Sequence, residues 1–294
     1  TPELAAKATC DAQRILGVDA AIMFADLLPI LEPMGMKLDY IPGFGPNFEN
    51  PVRTHADIDN LSVQPAKESM PYIHDVIKLI RAELPKDIPL IGFGGAPFTL
   101  ASYAIEGKGS RNYVFVKQMM YGDAGAWHGL MEKITDTVID YMNYQIDSGV
   151  QAVQLFDSWV GTLSPSDYRE YVMPHSQRMM KEITGRVPVI HFGTGNPALA
   201  PLMAEAGGDV LALDWRTPLL ETWNATGVKS VQGNMDPIIL CADKASVKRK
   251  AKEVLDEVDG RPGHIFNLGH GIIPETPVEN VKALVDFVHE YSAR

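Results

Sequence analysis

Eight polar side chains stand where chemistry is easiest to build. Asp26 follows the apolar run IMFA, Asp157 and Ser158 follow VQLF, His191 follows VPVI, Asp214 follows VLAL, Asn234 follows VQG and His270 follows FNLG, while Tyr103 sits in the stretch ASYAIEG. In α/β barrels the residues at the C-terminal ends of strands line the catalytic mouth, so the seven strand-end residues are expected to face one opening. Acids, hydroxyls and imidazoles gathered there would suit proton transfer and the holding of a polar substrate by hydrogen bonds. Asp157, Asp214 and Asn234 have an equally weighted structural role, because strand-end Asp and Asn often cap the loop that follows. Tyr103 has one too, since tyrosines pack more often than they catalyse. A metal hydrolase would need His191, His270, Asp26 and Asp214 to converge, and no HExxH or paired His-x-His supports it. A serine hydrolase would need Ser158 on a nucleophile elbow, which Phe156-Asp157-Ser158-Trp159-Val160 is not.

The elements that must position these groups alternate. Apolar, β-rich segments at 18–25, 89–95, 150–156, 187–192, 209–215, 228–234 and 264–270 read as parallel strands buried on both faces. Between them lie helical patterns. Trp127, Leu130, Met131, Ile134, Val138 and Met142 recur at three- and four-residue spacing, as do Val281, Leu284 and Val285. Ser164-Pro165 and Asn196-Pro197 place a capping side chain before a proline at the first helical position. Repeated β then α predicts a parallel sheet, and a (β/α)8 TIM-type barrel over 1–294 as a single domain is the expected fold. The open doubly wound alternative lacks a convincing GxGxxG, the nearest stretch being Gly92-Phe93-Gly94-Gly95-Ala96-Pro97. Residues 34–53 break the rhythm and predict an inserted loop or hairpin. Seven strands do not close an eight-stranded barrel, and the chain opens on a helix at Thr1-Pro2-Glu3-Leu4, so part of the N-terminal region is expected to lie outside this chain.

Composition narrows the function classes. With 294 residues, 46% hydrophobic and 21% charged, the chain is that of an ordinary globular enzyme. A formal net charge of -11 argues against nucleic-acid binding, which needs clustered Lys and Arg. No apolar run reaches the roughly 18 residues of a membrane helix, and the start TPELAAKATCDAQ lacks the layout of a signal peptide. A cytoplasmic location without membrane partners is expected. Cys10 and Cys241 are too few and too far apart for a disulfide framework or a thiolate zinc site.

The blocks TPELAAKAT (1–9), IMFADLLPILEPMGM (22–36), GGAPFTLASYAIEGKGSRNY (94–113), LFDSWVGTLSP (155–165), VQGNMDP (231–237) and NLGHGI (267–272) together resemble the uroporphyrinogen decarboxylase family along nearly the whole chain. That resemblance implies a homodimeric barrel without metal or organic cofactor. Its reaction removes CO2 from the four acetate arms of uroporphyrinogen, giving coproporphyrinogen in haem biosynthesis. Carried over residue by residue, the family's site falls on Asp26, catalytic and substrate-binding, and on Tyr103, Ser158 and His270 as substrate-binding groups. A buried Asp26 carboxylate would accept hydrogen bonds from the pyrrole N–H groups and favour a protonated ring. Gly269 and Gly271 would leave the backbone beside His270 open to a planar macrocycle. The family also carries an arginine segment before the TPELA helix that holds substrate carboxylates, and this chain begins after it.

Two rivals remain. Zinc-dependent corrinoid or coenzyme M methyltransferases of the same superfamily carry cysteines where this chain has Gly193 and His270. A non-catalytic tetrapyrrole-binding relative would not need Asp26, Tyr103, Ser158 and His270 together.

Overall fold

A computed structural model describes residues 1–43, 45–183 and 185–293. The first helix, Pro2–Leu16, starts with proline in its first turn and stops at Gly17, whose φ of 70° ends it in the left-handed conformation that glycine adopts without cost. The strands follow in order: β1 Ala21–Ile22, β2 Leu38–Ile41, β3 Gly45–Phe48, β4 Leu90–Gly95, β5 Ala152–Asp157, β6 Val189–Gly193, β7 Val210–Leu213, β8 Ser230–Met235 and β9 His264–Leu268. β2 and β3 form an antiparallel hairpin within the interruption at 34–53. The other seven form one sheet in the order β1-β4-β5-β6-β7-β8-β9, every neighbouring pair parallel. All seven segments expected from the sequence are strands of this sheet. Among the described residues, β1 and β9 are its two edges. His289 on the last helix, Val278–Ser292, reaches Asp19 just before β1, with 3.0 Å between Nε2 and Oδ2.

The helices between strands begin where the sequence has caps. Asp123 accepts from the Ala126 N–H at the start of Ala124–Ser148, Ser164 accepts from Asp167, and Asn196 accepts from Ala198. Each of these bonds satisfies an amide that the first helical turn leaves without a partner.

The pleat sorts side chains to two faces. On the inner face lie Ile190, Phe192, Val210 and Ala212, with Phe156 packed against them. Gln232 on β8 reaches across the interior to Gln154 on β5, Nε2 to Oε1 at 3.2 Å. The outer face packs against the helices, and there β4 uses glycine for closeness. A Cβ at Gly94 would lie 2.8 Å from the Met142 sulfur, so the helix Ala124–Ser148 seats directly on the sheet.

Candidate active site

Period-two alternation decides which strand-end residues reach the opening, and it removes several of those expected there. Asp157 is fully buried on the outer face, where its Oδ1 accepts from Thr99 Oγ1 at 2.9 Å on the helix Pro97–Glu106. Among the described residues its Oδ2 has no hydrogen-bond partner, and burial pushes the carboxyl up to about 7 against the smaller effect of the Thr99 bonds. His191 is equally buried on that face. Its Nδ1 lies 3.2 Å from the Gly207 carbonyl, and burial lowers the imidazole to about 4 against the smaller effects of the Gly207 and Met203 carbonyls. The imagined convergence of His191 with His270 is therefore not made. Asp214 and Asn234 organise loops instead of facing the opening. Asp214 accepts from Thr194 Oγ1, Gly195 N, Arg216 N, Arg216 Nη1 and Thr217 Oγ1 at 2.7 to 3.0 Å. Burial alone would raise its carboxyl, yet these bonds outweigh burial and hold it below the ordinary value. Asn234 Nδ2 donates to the carbonyls of Asp214 and Thr217 at 2.9 and 2.7 Å.

The four remaining residues stay at least partly accessible, Asp26, Ser158 and His270 in the loops after strands and Tyr103 on the helix Pro97–Glu106. Ser158 and His270 line one cavity of 310 Å³, together with Tyr113, Trp159, Trp215 and Arg216. The loops around it are locked by glycine: a Cβ at Gly161 would overlap the Thr194 carbonyl and the Gly195 backbone. Tyr113 holds a left-handed φ of 51°, uncommon for a residue with a side chain and a mark of backbone constraint at the cavity wall. Tyr103 is half-buried at the back, its ring 5.8 Å from that of Trp159. Burial raises the Tyr103 phenol, the Trp159 indole opposes this, and Asp26 adds to it, so Tyr103 lies within electrostatic reach of both.

Asp26 is exposed rather than buried. It lines a separate recess of 130 Å³ with Phe93, Tyr72 and Tyr141, and its Oδ1 accepts from the Leu28 N–H at 2.9 Å. The Tyr40 hydroxyl, on the hairpin, faces it, and burial followed by the Asp26 carboxylate drives that phenol strongly upward. An aromatic row joins the two depressions. Phe93 meets Phe156 at 5.9 Å, Phe156 meets Phe192 at 5.7 Å, and Phe192 meets His270 at 6.2 Å, each edge to face. This largely buried row, with Phe156 its partly exposed member, thus floors a site that has Asp26 at one end and His270, Ser158 and Arg216 at the other.

Gly269 does not serve the purpose expected of it. A Cβ there would overlap the backbone of Trp215 and come within 2.9 Å of the Asp214 carbonyl carbon, so this glycine lets two chain segments cross, whereas Gly271 faces open space. Sequence reasoning also missed Tyr40, Trp159, Arg216 and the phenylalanine row. The alternation Ile91, Phe93 and Gln154, Phe156 and Ile190, Phe192 was the signal available for the last.

A family model described as uroporphyrinogen decarboxylase matches residues 1–291. The chain belongs to the uroporphyrinogen decarboxylase family. Among its relatives, the uroporphyrinogen decarboxylase of Sorangium cellulosum is 52% identical over 98% of this chain and 83% of its own length. That of Carboxydothermus hydrogenoformans is 52% identical over 100% and 84%. A solved methyltransferase from Methanosarcina mazei superposes with a TM-score of 0.85 over 99% of this chain and 86% of its own, at 22% identity, a likeness of TIM-barrel fold alone. Nothing of a thiolate centre is carried over. Position 193 is glycine, and a side chain there would meet Met203 at 2.5 Å.

Proposed function

We propose that this chain decarboxylates the four acetate side chains of uroporphyrinogen to methyls, giving coproporphyrinogen, with Asp26 as the catalytic carboxylate and Tyr103, Ser158 and His270 as substrate-binding groups. The reaction is that of its family, at about half identity over nearly the full chain, in porphyrin biosynthesis. The observation that supports the roles is the aromatic row linking the Asp26 recess to the His270 cavity. A tetrapyrrole needs an apolar face for its rings and polar groups for its rim, and the two ends of this floor differ in just that way.

The chemistry explains the residue types. When the C–C bond to an acetate carboxylate breaks, its electron pair must go into the pyrrole, and protonation of a ring carbon makes the ring able to accept it. CO2 leaves, a proton is added at the former methylene, and the ring carbon gives its proton back, so one proton is consumed per acetate. Asp26, facing the pyrrole N–H groups, would stabilise the cationic ring through its carboxylate. At the far end, the Ser158 hydroxyl and the His270 imidazole would donate to the carboxylates, and Tyr103 would hold an arm between the two. On family resemblance alone we further propose a cytoplasmic homodimer.

Incubating the protein with uroporphyrinogen and separating the products by chromatography tests this reading. Coproporphyrinogen with release of four CO2 per molecule is the expected result, and binding without CO2 release would favour the non-catalytic relative.

A further inference from the structure

We propose that Arg216 binds a substrate carboxylate at the β7 side of the opening, and so makes this site select tetrapyrroles by the number of acids they carry. The proposal rests on the decarboxylase reading for the identity of the substrate and on geometry for the residue.

Of the residues lining the cavity that holds Ser158 and His270, Arg216 is the one Lys or Arg. Its guanidinium is already fixed. Nη1 donates to Asp214 Oδ2 at 2.9 Å, and the central carbon lies 3.8 Å from the centroid of the Trp215 ring. The side chain is nevertheless 49% exposed, and among the described residues no other acceptor is hydrogen-bonded to the guanidinium. A planar fork with one edge anchored and a face stacked has lost its rotamer freedom beforehand, so the cost of ordering it on binding is small. Asp214 does not use up this cation. Its carboxylate is shared with Thr194, Gly195, Thr217 and the Arg216 amide, so the anion is solvated by four donors besides the guanidinium nitrogen.

Direction follows from the neighbours. Arg216 stands on the wall between two depressions. The one on the other side, 520 Å³, carries Asp236, Glu253 and Glu257 beside Lys250, and Lys250 is paired with Glu253 at 2.6 Å. A carboxylate ligand is repelled there. The cavity with Ser158 and His270 has no acidic residue in its lining and supplies a hydroxyl and an imidazole next to the guanidinium. Arg, Ser and His around one space form a receptor for a carboxylate, in which the guanidinium charge attracts and the hydroxyl and imidazole complete its hydrogen bonds.

Arg216→Gln and Arg216→Lys test this in two arms. In turnover, Arg216→Gln is expected to raise KM for uroporphyrinogen, which bears eight carboxylates, about tenfold, the equivalent of roughly 1.4 kcal/mol. The effect on kcat is expected to be smaller, with Lys recovering part of the loss. In binding, quenching of tryptophan fluorescence by uroporphyrin should weaken about tenfold in the Gln variant and change little for coproporphyrin, which bears four carboxylates. Added salt should weaken binding to the wild type more than to the Gln variant. Unchanged KM and unchanged uroporphyrin affinity in variants whose melting temperature matches the wild type would overturn the role of Arg216. If the wild type leaves uroporphyrinogen unconverted, the decarboxylase reading fails instead, and equal porphyrin affinity in the binding arm overturns the Arg216 proposal by itself.

Discussion

Asp157 and Asp214 stand at the ends of β5 and β7, two parallel strands separated by β6 in one sheet, both side chains almost wholly buried, yet they are opposite in electrostatic character. Asp214 turns into a knot of loops and collects five hydrogen bonds, so it is held as the anion despite burial. Asp157 turns outward into the helix layer, finds Thr99 alone, and is pushed toward its neutral form. The Thr99 hydroxyl that serves it also accepts from the Trp159 N–H at 3.3 Å, so Asp157 reaches the cavity only through the position of that loop. Donors, not burial, decide whether a strand-end carboxyl in this protein is charged. Asp26 is a third case, a carboxylate left to solvent in the loop after a two-residue strand, held by the Leu28 amide and faced by the Tyr40 hydroxyl.

The comparison can be broken in three places, and the exposed carboxylate comes first because its loss acts on the reaction. Asp26→Asn should leave the fold intact, since the amide still accepts from Leu28, and should cut kcat by about 10²–10³, the range for removing one preorganised electrostatic stabiliser. Steady-state decarboxylation with circular dichroism on the same sample checks it, and wild-type turnover in a folded variant would remove Asp26 from the mechanism.

Asp214→Asn should instead act on stability and on the cavity wall together. Replacing an anion that five donors surround leaves the Arg216 guanidinium, two amides and two hydroxyls poorly matched, at a cost of about 3 kcal/mol. That corresponds to roughly a 5 °C fall in melting temperature. Because the Asp214 pKa is depressed in the fold, its contribution is present above the unfolded carboxylate value and is lost as pH falls through the folded value. The gap between wild type and variant should therefore narrow on acidification, which a series of thermal melts would show. A gap independent of pH would mean that the hydrogen bonds do not require the anion.

Asp157→Asn comes last because it acts on stability and not on the reaction, and it does so with the opposite sign. The folded carboxyl titrates near 7 and the unfolded one near 3.8. Between these values the native state holds a proton that the unfolded chain has released, so the contribution is complete below the lower value and lost as pH rises through the upper one. His191, lowered to about 4, has the reverse dependence over part of that window, but it is common to both proteins and cancels. Relative to the wild type, the Asn variant should gain stability as pH climbs from about 4 to about 7 and hold a constant difference above that. Parallel melting curves at every pH would show that Asp157 is charged throughout.

These contrasts also measure how much was legible beforehand. The seven strand segments, the hairpin in 34–53 and the capped helix starts were readable because they depend on local patterns: apolar runs, turn residues, and a side-chain oxygen before a helix. The family and its reaction were readable because six ordered blocks carry them. The four site positions, Asp26, Tyr103, Ser158 and His270, came from the same blocks, and the structure leaves all four at least partly accessible.

What the sequence by itself determined is therefore the β/α rhythm, the family and the inventory of polar groups, all of which are properties of residues close along the chain. Tertiary structure alone decided which groups meet. Asp157 and Ser158 are adjacent in sequence and face different environments, because Asp157 ends β5 on its outer side and Ser158 opens the turn that follows. Gly269 turned out to admit the Trp215 backbone rather than a ligand, a contact between β7 and β9 ends that no local pattern encodes. Tyr40 reached Asp26, and Arg216 reached the cavity of Ser158 and His270, across separations of 14, 58 and 54 residues. Such neighbours are set by the curl of the sheet and the packing of loops over its end, where long-range contacts and desolvation fix both position and charge.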